Sequence, residues 1–195
     1  MEKKALVIGI AGLTSSGKST FSAALEKEIR AKLLVIHTDF YYKEELPRAV
    51  SPVTGKEYDD YNSAECIDSE RLIRDVRTAA TGGEYECVIV EGLCVLSFDG
   101  LLELLDLKVF IELDSAERMY RRIRRNMEGM GLSMEEVAEY YLGIAKFQEE
   151  RSLAPAKLLA DVILNGNFIP GKGLALVAGW AQRRLEEARE ENGTM

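Results

Sequence analysis

A glycine-rich segment near the start of the chain carries the residue types that bind phosphate groups. Residues 12–20 read GLTSSGKST, which contains the spacing G-x-x-x-x-G-K-S. The glycines let the backbone approach an anion closely, the lysine supplies positive charge at the outer phosphates, and the next hydroxyl can ligate Mg²⁺. The pattern predicts that the chain binds a nucleoside triphosphate. It leaves open whether water, a moving protein part or a second small molecule receives the terminal phosphate.

The predicted nucleotide contacts come from this loop and from the first turn of the helix behind it. A strand, a glycine turn and a helix N-terminus follow in this order, so backbone N–H groups and the helix dipole converge on an anion. We expect Lys18 to stabilise the transferred phosphate and Ser19 to ligate Mg²⁺. The predicted nucleotide-binding residues are Gly12, Thr14, Ser15, Ser16, Gly17, Lys18, Ser19 and Thr20.

Two carboxylates follow predicted strands of a parallel sheet. Asp39 comes directly after the strand over 33–38, and Glu91 directly after the strand over 85–90. Ligands bind beyond the carboxyl ends of such strands, so both side chains are expected to face the phosphates. One could bind Mg²⁺ while the other accepts a proton from an attacking hydroxyl. The alternatives are a turn or helix cap for Asp39 and a loop carboxylate without a special role for Glu91.

A run of arginines predicts a basic helix face. Residues 118–125 read RMYRRIRR, which places Arg118, Arg121, Arg122 and Arg125 on one side of a helix. Such a face repels itself unless an anion is present, and arginines that close on a transferred phosphate stabilise charge and exclude water. The alternative is a solvated basic face paired with Glu117 and Glu128.

Absent motifs and composition exclude several classes of protein. The guanine-reading N-K-x-D motif of small GTPases and the L-S-G-G-Q signature of transporter ATPases do not occur. A small-molecule kinase needs both a carboxylate base after the second strand and an arginine-rich lid helix, so the acceptor is expected to be a hydroxyl. The net charge of −8 argues against a general nucleic-acid binder, and no apolar stretch approaches the roughly 18 residues of a membrane span. Cys66, Cys87, Cys94 and the single histidine, His37, lack zinc-site spacing. We therefore expect a cytoplasmic protein without nucleic-acid or membrane partners.

The elements that must position these groups alternate between strand and helix. The length of 195 residues suits one domain, residues 1–195, that buries roughly 70 % of its unfolded surface. Capping boxes at Asp114/Glu117 and Ser133/Glu136 predict two helices before the last strand. Residues 40–66 are predicted to be rich in loops. The predicted strands are 5–10, 33–38, 85–90, 107–113 and 161–164, and the other predicted helices are 18–31, 68–80 and 173–190.

Taken in order, these motifs resemble the uridine kinase and phosphoribulokinase family of P-loop small-molecule kinases over residues 5–167. The matching stretches are GIAGLTSSGKST (9–20), DFYYK (39–43), EYDD (57–60), VIVEGLCVL (88–96), RRIRR (121–125) and PAKLLADVI (155–163). The family implies an α/β P-loop NTPase fold, a five-stranded parallel sheet in the order 2-3-1-4-5 flanked by helices, and a small helical lid at about 115–132. Family members are often oligomers, so this chain could form a homo-oligomer, although its sequence does not fix the oligomeric state.

The resemblance also implies a role for each matching residue. Asp39 is the base, Lys18, Arg122 and Arg125 stabilise charge, and Mg²⁺ is held by Ser19 and Glu91. The resemblance implies that Asp59 binds the ribose hydroxyls and that Tyr58 stacks on the base. We also expect Tyr61, as an alternative to Tyr58 against the base, and Arg121 to contact the acceptor. Residues 164–167, LNGN, stand where the family packs against adenine.

The expected activity is transfer of the γ-phosphoryl of ATP to a ribonucleoside 5′-hydroxyl, as in uridine/cytidine kinases. Two features depart from the uridine kinase pattern: DDYNSAECID (59–68) lacks the usual His and Pro, and EGMGLS (128–133) replaces an arginine-glycine-arginine tip. The alternatives are a kinase for nicotinamide riboside or for a phosphorylated sugar, and a nucleotide-binding regulatory module without transfer.

Overall fold

The protein is described here by a computed structural model that covers residues 5–193, and a parallel sheet runs through its centre. Its strands within that range are β1 Leu6–Gly12, β2 Leu33–His37, β3 Arg48–Val50, β4 Glu57–Asp59, β5 Cys87–Glu91, β6 Leu107–Glu112 and β7 Val162–Asn165. Five of them form the sheet in the order β2-β5-β1-β6-β7, with every neighbouring pair parallel. Numbered along the chain, this order is 2-3-1-4-5, which confirms the prediction.

Helices cover both faces of the sheet, so its central strands are apolar on both sides. The helices of the described chain are α1 Lys18–Glu28, α2 Ser69–Thr81, α3 Asp99–Leu102, α4 Ser115–Met130, α5 Met134–Tyr140, α6 Lys146–Gln148 and α7 Lys172–Gly193. Ile8 and Ile10 of β1 pack with side chains of α1 and α7. Val7 and Ala11, which alternate with them, pack with side chains of α2 on the opposite face. None of the helices within residues 5–193 is long and apolar enough to cross a bilayer.

The segment predicted as loop contains an antiparallel hairpin that the sequence did not indicate. β3 pairs with β4, and Ser51 stabilises the turn by accepting hydrogen bonds from the N–H groups of Val53 and Thr54 at 3.3 and 3.2 Å. Gly55 takes the left-handed conformation that this turn requires, with φ 69°. The hairpin escapes sequence analysis because both strands have only three residues, too few to show an alternating apolar pattern.

Side-chain caps start both α4 and α5, although the two caps differ. Ser133 and Glu136 form the predicted reciprocal box at the start of α5. Asp114 caps α4 by accepting from the N–H of Ala116 at 2.8 Å, but Glu117 turns its carboxylate to Arg121 Nε at 3.0 Å. After α5 the chain stays helical through two π-type turns, Tyr141–Ala145 and Glu149–Leu153. The region predicted as two helices therefore contains a longer, irregular second helix.

Candidate active site

The phosphate-binding loop connects β1 to α1 at the carboxyl edge of the sheet. Gly17 immediately precedes α1 with φ 106°, a conformation that side chains disfavour, and it lets the helix start directly behind the loop. The loop thus directs the first N–H groups of α1 toward the space where an anion would bind.

A second glycine brings two neighbouring strand ends together. A Cβ atom on Gly92 would collide with the side chain of Thr38, so only glycine allows this approach. Thr38 begins a short 3₁₀ helix, Thr38–Tyr41, which carries Asp39. The turn after β2 therefore lies against the residue that follows Glu91, and both predicted carboxylates reach the same edge.

A cavity of about 130 Å³ at this edge is lined by all four predicted catalytic residues and by five further predicted site residues. Its lining residues that were predicted from the sequence are Thr14, Ser15, Lys18, Ser19, Asp39, Tyr61, Glu91, Arg122 and Arg125. Its lining residues that were not predicted are Tyr42, Asn62, Gly92 and Leu93. The structure thus places a phosphate loop, two carboxylates, two arginines and two tyrosines around one space.

Lys18 is a buried cation whose neighbours are mostly acidic. Its ammonium donates a hydrogen bond to the carbonyl of Leu13 at 3.0 Å. Burial lowers the pKa of Lys18, and the negative charges of Glu91, Glu149 and Asp39 oppose that shift. A phosphate group in the cavity would add the anionic partner that a buried ammonium requires.

The two predicted Mg²⁺ ligands contact each other. Ser19 Oγ donates to Glu91 Oε1 at 3.1 Å, and His37 Nδ1 lies 2.7 Å from the same oxygen. A hydroxyl and a carboxylate are hard oxygen donors, and Mg²⁺ in proteins commonly binds one or two such groups together with substrate phosphates. The donor set fits Mg²⁺. His37 was not among the predicted site residues. Its position at the end of β2, in register with Glu91, could have indicated that it lies beside this carboxylate.

Asp39 is exposed on the cavity wall, at the start of the turn that follows β2. Within residues 5–193 its carboxylate has no hydrogen-bond partner, and the turn has no side-chain cap. A carboxylate that is not engaged in a cap or an ion pair is free to accept a proton from a bound hydroxyl.

Three further side chains, Tyr42, Tyr61 and Asn62, line the cavity together with the phosphate loop. Tyr42 and Tyr61 stack edge to face with ring centroids 5.5 Å apart. Asn62 is buried, and its amide donates to the Tyr140 hydroxyl at 3.0 Å. Asn62 also accepts a hydrogen bond from Arg122 Nη1 at 3.2 Å. Aromatic faces and an amide suit a planar polar molecule.

The predicted acceptor residues Tyr58 and Asp59 lie outside the lining of this cavity. Asp59 is half exposed on the hairpin and forms an ion pair with Arg48. Tyr58 donates its hydroxyl to Glu139 of α5 at 2.8 Å. Because β4 ends at Asp59, the chain turns toward the cavity only afterwards, and Tyr61 and Asn62 lie there instead.

The arginines predicted to share one face divide among several partners. Arg122 and Arg125 line the cavity, and Arg122 Nε is buried without a hydrogen-bond partner in the described chain. Arg121, predicted to bind the acceptor, instead pairs with Glu117 and donates to the carbonyl of Gly166 at 3.2 Å. Arg118 points into the protein. The alternative prediction was a solvated basic face paired with Glu117 and Glu128. Such exposed ion pairs form on only part of the helix.

Glu149 is the partner of Arg118, and no sequence signal identified it. It is fully buried, accepts from Arg118 Nη1 at 2.5 Å and accepts from the N–H of Thr14 at 2.8 Å. In the sequence it is one of several acidic residues in a helical stretch. Only the fold shows that it contacts the phosphate loop.

A larger cavity, of about 680 Å³, lies beside the loop and beyond the end of β7. Phe21 of α1 and residues 164–174, apart from Gly166, line it. Its volume falls within the usual range of small-molecule sites, roughly 300–1,000 Å³. The predicted adenine-contacting segment 164–167 contributes three of its residues, Leu164, Asn165 and Asn167.

Comparisons with known proteins agree with these observations. The family described as Phosphoribulokinase / Uridine kinase matches residues 83–167. A uridine kinase of Lactococcus lactis subsp. lactis is 31% identical over 182 residues, covering 83% of this chain and 88% of that protein. A uridine kinase of Streptococcus gordonii is 28% identical over 214 residues, covering 97% and 100%. The phosphoribulokinase from Rhodobacter spheroides shares the fold, with a TM-score of 0.57, 18% identity and coverage of 84% and 71%.

Proposed function

Because this chain belongs to the phosphoribulokinase/uridine kinase family, we propose that it transfers the γ-phosphoryl group of ATP to the 5′-hydroxyl of a ribonucleoside. The observation that carries the proposal is the 130 Å³ cavity, because it joins a phosphate loop, an uncommitted carboxylate and a pair of tyrosines. Neither a simple ATPase nor a regulatory module needs an aromatic acceptor side in the same cavity as its phosphate loop.

The residues around the cavity divide the chemistry among them. Asp39 accepts the proton of the acceptor hydroxyl while that oxygen bonds to the γ-phosphorus and the bond to the bridging oxygen of ADP breaks. Lys18, Arg122 and Arg125 stabilise the charge on the transferred group. Ser19 and Glu91 hold Mg²⁺, which when bound neutralises phosphate charge.

The two ends of the reaction occupy the two cavities. The adenine of ATP packs in the larger cavity beside Phe21 and Ile169, behind the phosphate loop. The acceptor base lies against Tyr42 and Tyr61, whose faces accommodate different bases. Asn62 replaces the predicted Asp59 as the polar group that contacts the acceptor.

A second candidate acceptor is a phosphorylated sugar. Arg122 carries a buried Nε atom without a partner in residues 5–193, and Arg125 lies beside it on the cavity wall. An additional phosphate on the acceptor could engage these donors bidentately. This acceptor would place the protein nearer to phosphoribulokinases in activity.

ADP release from purified protein tests the proposal and separates the candidates. The reactions contain Mg²⁺ and ATP with no acceptor, uridine or cytidine, nicotinamide riboside, or ribulose 5-phosphate. We expect release with uridine or cytidine, and release with nicotinamide riboside alone would favour that alternative nucleoside. Equal release without any acceptor would refute acceptor phosphorylation, and release with ribulose 5-phosphate alone would favour the second candidate.

The remaining expectations belong to the same proposal. We propose that residues 1–195 act as one kinase domain with a lid at about 115–132, without nucleic-acid or membrane partners. The cytoplasmic location and a homo-oligomeric state stay predictions.

A further inference from the structure

Glu149 joins two parts of the protein that are far apart in sequence. Its Oε1 accepts a hydrogen bond from the backbone N–H of Thr14, 135 residues away, at 2.8 Å. Its Oε2 accepts from Arg118 Nη1, 31 residues away, at 2.5 Å. Thr14 belongs to the phosphate-binding loop and Arg118 to the lid helix α4, so one carboxylate contacts both elements.

This contact is enclosed on all sides. The side chain of Glu149 is fully buried and that of Arg118 is 5% exposed. Arg118 also donates from Nε to the carbonyl of Leu113 at 3.2 Å, just beyond β6. Loss of one partner of a buried, hydrogen-bonded charge pair leaves the other charge uncompensated, which is costly. This cost holds Glu149 and Arg118 together, and with them the loop at Thr14.

The geometry also determines which way the lid helix faces. Arg118 and Arg122 are one turn apart, so fixing the first sets the rotation that points the second into the cavity. Burial lowers the pKa of Arg122, and the charge of Glu149 opposes that shift. Glu149 begins a π-type turn, a distortion that is frequent at functional sites.

We propose that Glu149 is a positioning residue that couples the lid helix α4 to the phosphate-binding loop. It does not line the catalytic cavity, so it acts through its hydrogen bonds to Thr14 and Arg118 and through the effect of its charge on Lys18 and Arg122. The inference rests on the proposed kinase function and specifies how the ATP-binding loop of that same site is held. Its consequence is that Glu149 governs ATP binding and turnover more than acceptor binding.

Two substitutions at this position separate its contributions. Glu149→Gln keeps an oxygen that can accept from Thr14 but removes the charge, whereas Glu149→Met removes both. We expect kcat/KM for ATP to fall about 10- to 100-fold, as for other residues that hydrogen-bond the groups in direct contact with a ligand. The loss should be larger for Glu149→Met than for Glu149→Gln. The KM of the acceptor should change less than that of ATP, because Glu149 reaches Asn62 only indirectly, through Arg118 and Arg122. Glu150→Gln is the matched control, since Glu150 is the exposed neighbour on the same helical segment.

A double variant distinguishes positioning from mere stabilisation. Arg118→Met with Glu149→Met removes both charges, and an apolar pair often restores stability at such sites. We expect this variant to regain thermal stability while its ATP affinity and kcat stay low. The proposal would be overturned if the double variant recovered ATP affinity and kcat together with its stability. It would also be overturned if the single variants had the same ATP kinetics as Glu150→Gln.

The ATP dissociation constant is measured directly by calorimetry at a temperature where all variants are folded. This readout needs no acceptor, so it tests Glu149 even if the proposed acceptor is wrong. Failure of the unmodified protein to phosphorylate any nucleoside would count against the proposed function alone.

Discussion

Arg122 of the lid helix donates a 3.2 Å hydrogen bond to Asn62, the buried amide on the acceptor side of the cavity. The lid and the acceptor site therefore share a contact. Asn62 uses its amide nitrogen at the same time to donate to the Tyr140 hydroxyl at 3.0 Å. In the proposed reaction, an acceptor bound beside Asn62 would therefore affect an arginine assigned to the transferred phosphate.

Substitution of Asn62 should impair acceptor use, whereas substitution of Asp59 should not. A site that hydrogen-bonds hydroxyl groups rejects analogues lacking them, because its own polar groups are left unpaired. We expect Asn62→Ala to lower kcat/KM for the ribonucleoside by about tenfold or more, at a cost of roughly 1–3 kcal/mol. Steady-state kinetics with varied nucleoside measures the effect.

Asp59→Ala serves as the comparison, because Asp59 lies outside the cavity in an exposed ion pair with Arg48. Exposed pairs contribute little to stability, so this variant should behave like the unmodified protein. A large loss of nucleoside efficiency in Asp59→Ala, with Asn62→Ala unaffected, would restore the assignment expected from the sequence.

Lys18→Ala should fold and lose phosphoryl transfer by several orders of magnitude. The reason is that the cavity loses its central cation for the outer phosphates. Lys27→Ala is the control, since Lys27 is exposed on the same helix. Circular dichroism establishes folding and ADP release reports transfer. Near-normal turnover in Lys18→Ala would contradict the role of this loop in catalysis.

Asp39→Asn should reduce kcat while ATP affinity stays nearly constant. The amide keeps the shape of the side chain but accepts no proton, and general bases contribute about 10²–10⁴-fold. The comparison is between kcat and the ATP dissociation constant of the same variant. Collapse of ATP binding with a normal residual rate would show that Asp39 is a metal or structural group.

The thiols should be unreactive in the folded protein. All three cysteines are buried, burial raises the pKa of Cys87 to about 12, and a hydrogen bond with Cys66 together with burial raises that of Cys94. Because the thiolate is the reactive form, raised pKa values leave almost none of it at pH 8. Titration with a disulfide reagent should modify the thiols only after denaturant is added. Rapid modification of native protein would indicate an opening that the structure does not show.

The sequence predicted those features that depend on local pattern. Apolar strand runs and the G-x-x-x-x-G-K-S spacing located the sheet and the phosphate loop, and strand ends brought Asp39 and Glu91 to one edge. The sequence could not show that Asn62 lies in the cavity while Asp59 lies outside it, because a three-residue hairpin strand gives no periodic signal and the turn after it decides which side chains enter the cavity. Glu149 escaped detection because its partners, Thr14 and Arg118, are distant in sequence.

The central claim is that a ribonucleoside 5′-hydroxyl receives the γ-phosphoryl group, and the identity of the product tests it most directly. Protein, Mg²⁺, ATP and a ribonucleoside are incubated, and the products are separated and examined by mass spectrometry and ³¹P NMR. The account predicts a nucleoside 5′-monophosphate in amounts equal to ADP, and none from Lys18→Ala. ADP without any phosphorylated nucleoside, or a product that forms only from a phosphorylated sugar, would contradict it.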